Sequence, residues 1–341
     1  MNNNSIKARG LVFGFYHKRN AGDDRLAYCL ERLLSEYDLT FLPHNYRPPV
    51  DLLLEADFAI IGGGSVANSY YGVFENLNAW AKIAEIPVFL LGIGVSDNKT
   101  LINEVQKICL QENRVWVRDA NSKKLLGDPK NVKLAPDLSW LYPIQNDSII
   151  IPNGVCINLC PPLNNQYSQS IWANEIQNIE AEMPIYPWPL HYGTGQDKEY
   201  MDQLKMNARI PDEFSFRPAE ISEIIVSMRY HGILFALQMG RPFVPIVNSK
   251  KVKFFVDSTP WSKNISFFEC KNKLVKSLQK NKEIIDPSAI ASFSLEMNEA
   301  AWEAAALFCS EIKEAVSISQ KKKKNHFFRI RRKLRNLIHY F

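Results

Sequence analysis

The sequence predicts an α/β chain of two doubly wound domains followed by a short basic tail. Three observations predict it. Short β-rich runs alternate with helical patterns on both sides of a central break, glycine-bearing turns follow several of the strands, and residues 136–152 form a Pro-, Asp- and Asn-rich stretch with little periodicity. Alternation of that kind argues for parallel βαβ units with helices on both sheet faces. The break reads as an interdomain link. The expected domains are therefore 1–150 and 151–319, facing across a cleft, with the tail at 320–341.

In chain order, the first half offers strands at 11–16, 57–61, 88–91 and 114–117, with helices near 23–36, 73–84, 100–111 and 120–126. Its glycine turns are Asn20-Ala21-Gly22-Asp23-Asp24, Gly62-Gly63-Gly64-Ser65 and Gly92-Ile93-Gly94. In open α/β sheets ligands lie outside the carboxyl ends of the strands, where these loops fall. Asn20, Gly22, Gly63 and Gly64 are accordingly candidate substrate-binding positions. The second half offers strands at 154–159, 185–188, 224–228 and 243–247, helices near 167–182, 197–207, 231–239 and 251–257, and a long closing helix at 287–319.

The chain has 341 residues and a formal net charge of +5, from 41 Lys+Arg against 36 Asp+Glu. Residues 321–341 hold nine basic residues and no acidic one, which leaves 32 basic against 36 acidic residues, a charge of −4, in the first 320. The positive charge is a tail property. Within the tail Phe327, Ile330, Leu334, Leu337 and Phe341 recur at helical spacing, with Arg329, Arg332, Lys333 and Asn336 on the other side. A basic amphipathic helix behind a Lys run suits an anionic membrane surface, where each Lys or Arg contributes about 1 kcal/mol. The plainer alternatives are a solvated tail or a helix docked on a partner protein. Nucleic acid is not expected, because the acidic body extends no basic footprint.

No apolar run approaches the roughly 20 residues that span a bilayer, and no secretory apolar region follows the N-terminus. The six cysteines are scattered and make no CxxC pair, which fits reduced thiols in a cytosolic protein. The localisation expected is therefore cytoplasmic, peripheral on the inner face of the cell membrane. No Asp-x-Asp occurs and no His/Cys cluster has ligand spacing, so neither a metal nor a resident cofactor is expected.

The segment richest in chemistry is 227–242, where a buried strand runs into Arg229-Tyr230-His231-Gly232 and an apolar helix. Arg229 offers planar, bidentate donors to a carboxylate or phosphate. His231 sits where a helix N-terminus adds positive partial charge. A surface arginine beside a capping histidine is the plain alternative.

Over about residues 10–255 the chain resembles the polysaccharide pyruvyl transferase family. The resemblance is carried by Gly14 with the 20–24 loop, Ile60-Ile61-Gly62-Gly63-Gly64, Phe89-Leu90-Leu91-Gly92-Ile93-Gly94, Val117-Arg118-Asp119-Ala120-Asn121-Ser122 and Ala135-Pro136-Asp137. Its most specific part runs from Arg229 and His231 to Gly240-Arg241-Pro242, with Lys251 beyond. The resemblance implies a GT-B type fold of two Rossmann-like domains. It also implies transfer of pyruvate from phosphoenolpyruvate onto two sugar hydroxyls as a cyclic ketal, on a cell-surface glycan or its lipid-linked precursor. Arg118, Arg229 and His231 match the family positions linked to the donor, and Lys251 is grouped with them as substrate-binding.

That reaction needs at least two cationic groups for a carboxylate and a phosphate, a proton for the methylene carbon, and a base for the sugar hydroxyl. Arg118 and Arg229 suit the first need and His231 the second. Asp23 or Asp24 suits the third, although an acidic residue at a helix start is often only a cap. His191, in Pro189-Leu190-His191-Tyr192, is a further candidate, with a rim histidine as its alternative. Trp172, Trp188 and Tyr192 could stack a sugar ring or belong to the core, and loop 65–71 could shape acceptor choice. Two alternatives stand beside pyruvyl transfer: a nucleotide-sugar glycosyltransferase of the same architecture, and a non-catalytic glycan- or lipid-binding protein.

Overall fold

The structure, a computed structural model, describes residues 7–46, 48–67, 86–95, 99, 102–103, 105, 114–144, 151–162, 168–268 and 273–338. The expected helix at 73–84, most of the one at 100–111, and the 68–71 part of the loop proposed to shape acceptor choice lie outside these residues. The chain divides into two compact units. The first comprises Met1–Phe15, Ala27–Leu138 and Ala301–Phe341, the second Tyr16–Leu26 and Ser139–Ala300.

The first unit is built on a parallel sheet of β1 (Arg9–Gly14), β2 (Asp38–Pro43), β3 (Phe58–Ala67), β4 (Val88–Val95), β5 (Val115–Val117) and β6 (Val132–Leu134), in the order β2-β1-β3-β4-β5-β6. Central strands read as unbroken apolar runs because both faces are covered. Phe13, Ile61, Leu90, Ile93 and Val117 are all buried in one core. Helices α1 (Ala21–Leu33), α2 (Val50–Glu55) and α3 (Ala120–Leu125) connect the strands.

The second unit carries a four-stranded parallel sheet of β7 (Val155–Asn158), β8 (Ile185–Pro187), β9 (Ile224–Ser227) and β10 (Phe243–Pro245), in the order β10-β9-β7-β8. Its helices are α4 (Gln169–Glu180), α5 (Asp197–Asp202), α6 (Arg217–Ile221), α7 (Tyr230–Gln238), α8 (Lys250–Asp257) and α9 (Leu274–Ile284). Helix α7 buries nearly all its side chains, which is why it reads as apolar all round. Trp172 and Trp188 are buried in this unit, which settles them as core residues.

A last helix, α10 (Pro287–Ile338), is continuous where the sequence suggested a closing helix to 319 and a separate tail. In the second unit Phe293 packs edge-on against Trp140 at 6.2 Å, and Asn298 donates to the Trp140 carbonyl at 2.5 Å. In the first, Phe308 meets Phe89 at 5.7 Å, and Glu311 accepts from Trp116 Nε1 at 3.2 Å while pairing with Lys133. Lys323, inside the basic run, lies 3.3 Å from Asp57 and donates to the Ala56 carbonyl. These contacts explain why residues 301–341 belong with the first unit. The two compact units are thus not contiguous in sequence, since residues 16–26 bond within the second unit and residues 301–341 within the first.

Gly154, ahead of β7, shows how tightly the second sheet is seated. Its φ is 66°, and a Cβ there would lie 2.3 Å from the Pro184 carbonyl oxygen. Gly154→Ala should therefore lower stability in urea unfolding by about 3 kcal/mol. Gly195→Ala, also at positive φ but facing open space, should cost only about 1 kcal/mol.

Candidate active site

The second unit gathers polar side chains at the carboxyl ends of β7 and β9. Arg229 is the residue before α7, with extended backbone (φ −104°, ψ 141°) and no side-chain capping bond to the helix. Its guanidinium is held by Asp197, the first residue of α5. Nε donates to both carboxylate oxygens at 2.9 Å and Nη2 donates to Oδ1. Asp197 is fully buried and also accepts from Asn158 Nδ2 at 2.9 Å and from the Leu190 amide at 3.1 Å. Asn158 Oδ1 lies 2.9 Å from Ser227 Oγ, which accepts the Arg229 amide at 3.0 Å. The edge of Arg229 that the sequence offered to a bidentate ligand is therefore taken by a protein carboxylate.

Burial alone disfavours the Arg229 cation. The Asp197 carboxylate outweighs that, with a smaller contribution from Asp23, and holds the guanidinium above its ordinary range. Burial, and then the charge of Arg229, push the His191 imidazole below its ordinary value, against hydrogen bonds with Gln196 and the Lys18 backbone. His191 is neutral at neutral pH in consequence. Lys251, at the start of α8, acts electrostatically on Cys160 together with Arg229, so both cations belong to this neighbourhood. Burial raises the Cys160 thiol to about 11, which leaves it unsuited as a nucleophile.

The 16–26 segment completes the group. The Ala21 amide donates to the Leu190 carbonyl at 2.7 Å, Tyr192 donates to the Arg19 carbonyl at 2.9 Å, and Asn20 bridges His191. Asn20 Oδ1 accepts the Gly22 amide at 3.2 Å, capping α1. Gly22 lies against His231, the second residue of α7: a Cβ at Gly22 would come 1.9 Å from His231 Nδ1. On its other side the imidazole stacks on Phe235, one helical turn on, at 5.9 Å.

The two adjacent aspartates differ. Asp24 Oδ1 accepts the His17 amide at 2.6 Å, and burial raises its carboxyl despite such bonds. Asp24 thus closes its own loop. Asp23 is the one whose charge is felt by Arg229. Tyr192 is buried, with the Arg19 guanidinium 5.6 Å above its ring.

Arg118, Gly63 and Gly64 lie in the first unit. The Arg118 side chain is 3% exposed, 3.8 Å from Asp137 and 3.7 Å from Asp119. It rests on Gly94, where a Cβ would come 2.7 Å from Nη2. Asp119 caps α3 through the Ser122 amide at 2.7 Å, and Ser122 Oγ accepts the Val95 amide at 2.9 Å. Part of the Arg-Asp motif thus serves to tie α3 to β4. Gly63 and Gly64 adopt φ of 66° and 71°.

Sequence reasoning missed Asp197, Gln196 and the role of Asn158. Asp197 stands 32 positions before Arg229 with no regular spacing to mark it. Asn158 at the end of a buried strand, a polar side chain that must find partners, was the one signal present.

A model of the polysaccharide pyruvyl transferase family matches residues 20–250. The chain belongs to that family. No curated protein sequence matches it. Among solved structures, the family member is similar to a putative UDP-N-acetylglucosamine 2-epimerase from Listeria monocytogenes, at 12% identity and TM-score 0.59 over 90% of this chain and 97% of that one. A glycotransferase of kitacinnamycin (10% identity, TM-score 0.55, 90% and 99% covered) and the MnaA–UDP complex of S. aureus (12% identity, TM-score 0.55, 86% and 91% covered) are also similar. At such identities the likeness establishes the fold, which is of the GT-B type, for this pyruvyl transferase family member.

The contact of Gly22 with His231 is directly testable. Gly22→Ala should displace the imidazole and cut the transferase activity about 100-fold or more, the scale on which misplacing a site residue acts. Circular dichroism should stay unchanged, because the clash falls on a side chain.

Proposed function

We propose that the protein transfers pyruvate from phosphoenolpyruvate onto two hydroxyls of one sugar, forming a cyclic ketal in a cell-surface polysaccharide or its lipid-linked precursor. Family membership supports polysaccharide modification by a transferase. The observation that carries the finer reading is the grouping of Arg229, Lys251, His231 and Asp23 in the second unit. Phosphoenolpyruvate is a substrate here, and the reaction needs no resident metal or cofactor.

In this reading Arg229 and Lys251 receive the donor carboxylate and phosphate, with Arg118 assigned to the donor through the resemblance. His231 gives a proton to the methylene carbon, which becomes the ketal methyl group. The central carbon is then electrophilic, and one sugar hydroxyl adds to it while Asp23 accepts the hydroxyl proton. The second hydroxyl displaces phosphate from the same carbon and closes the ring. Neutral His191 is an alternative acceptor for one of the two hydroxyl protons.

His231→Ala should fold normally and lose about 10²–10⁴-fold in kcat/KM with phosphoenolpyruvate and acceptor. Arg229→Ala should lose activity as well as about 3–5 kcal/mol of stability, because it strands a buried carboxylate. Wild-type turnover in both variants sinks the assignment. Selective thermal stabilisation by a nucleotide sugar, and none by phosphoenolpyruvate, favours a glycosyltransferase instead.

The tail reading rests on charge and helical continuity. No helix among the described residues is long and apolar enough to cross a membrane. Helix α10 runs through the basic segment to Ile338. We infer that residues 321–341 bind an anionic membrane surface, at the cytoplasmic face holding a lipid-linked acceptor. Deleting residues 325–341 spares the Lys323 contacts. It should abolish sedimentation with anionic liposomes while leaving turnover on a soluble acceptor intact; unchanged sedimentation assigns the tail another role.

A further inference from the structure

The carboxylate that grips Arg229 has no part in the reaction just described. Asp197 is fully buried, while the Arg229 side chain keeps 24% of its surface exposed. The pair is therefore asymmetric, a sealed carboxylate holding an arginine whose side chain is partly exposed. Nε and Nη2 are committed to Asp197. Gln196 Oε1 takes one further contact from Nη2 at 3.2 Å, and Nη1 makes no hydrogen bond among the described residues.

A purely stabilising role does not call for such an arrangement. A buried ion pair gives little net stability over apolar residues of the same volume, since desolvation offsets the attraction. What the pair does supply is orientation. Through Leu190 and Asn158 the same carboxylate is fixed to the segment that carries His191 and to the end of β7. Neither oxygen can move without breaking several bonds, so the guanidinium it holds is equally constrained.

We propose that Asp197, with Gln196 beside it, is a positioning residue that fixes the Arg229 guanidinium by its Nε–Nη2 edge and turns the Nη1 side toward an anionic donor. The proposal rests on the donor reading above. The anion then meets a pre-oriented cation whose net charge is partly cancelled, so its affinity comes from geometry as much as from charge.

The test is Asp197→Asn, which keeps shape and removes charge, compared with wild type, Arg229→Lys and the double variant. In Asp197→Asn the KM for phosphoenolpyruvate should rise about 30-fold, the scale of one charge-assisted contact, with the acceptor KM unchanged. In the Arg229→Lys background the same change should add less than about 3-fold, because the two residues act as one unit. A second readout is the Nε–H resonance of ¹⁵N-arginine-labelled protein, assigned by its loss in Arg229→Lys. It should be protected from exchange in wild type and unprotected in Asp197→Asn. Equal rises in both KM values, multiplicative effects in the double variant, or a protected resonance in Asp197→Asn overturn the proposal. Wild-type protein that shows no phosphoenolpyruvate turnover overturns the donor reading instead, and the resonance still decides the positioning role.

Discussion

The site depends on one buried carboxylate. Asp197 sits where β8 leads into α5, out of contact with water, and a charge in that position is tolerated only when paired and hydrogen-bonded. Three partners from separate places in the chain meet that demand: Asn158 from the end of β7, the Leu190 amide, and Arg229 from the end of β9. Because the partners come from distinct strands of one sheet, satisfying Asp197 aligns the strand ends that make up the candidate site. Both oxygens of Asp197 and both polar atoms of Asn158 are then hydrogen-bonded, the condition under which buried polar groups specify geometry instead of weakening it.

A second constraint comes from the start of the chain. Residues 16–26, which follow β1 and include the first turns of α1, bond with residues 190–192 and bring Gly22 against His231. Only a residue without a side chain leaves the imidazole in place, since any Cβ would overlap it. The Asn-x-Gly-Asp-Asp loop therefore combines three demands in five residues. Asn20 caps a helix, Gly22 admits a histidine, and Asp24 closes the turn through His17. His17 and Arg19 hold positive φ (55° and 57°) in the same loop, a backbone state that persists only where surrounding bonds enforce it.

Much of this was legible in the sequence, for definable reasons. Strands β1, β3, β4, β7 and β9 are buried on both faces, so they appear as apolar runs followed by glycine or polar turns. The two strands that escaped notice lack that signature: β2 alternates exposed and half-buried residues, and β6 is three residues long. Helix α9 was missed as well; it is polar on one face and lacks a capping side chain. At the site, Arg229 and His231 stood out because their motif is local. Asp197 did not, because its importance arises from a contact 32 residues away that no periodicity encodes. The exchange of segments 16–26 and 301–341 is likewise a property of tertiary contacts, invisible to composition and spacing.

The candidate bases can now be ranked by environment. Two neighbouring aspartates of identical chemistry are separated by what surrounds them. The Asp24 carboxylate is spent on backbone amides of its own loop, and a group so engaged is poorly placed to take a proton from a ligand. The charge of Asp23 is felt by Arg229. His191 lies beside the same cation and is kept neutral chiefly by burial, which leaves it able to accept a proton. In the proposed reaction a donor anion at Arg229 would bring negative charge close to His191, favouring its protonation. The proposed ketal closure releases two hydroxyl protons in succession, and a carboxylate and a neutral imidazole in the neighbourhood of Arg229 and Lys251 offer an acceptor for each.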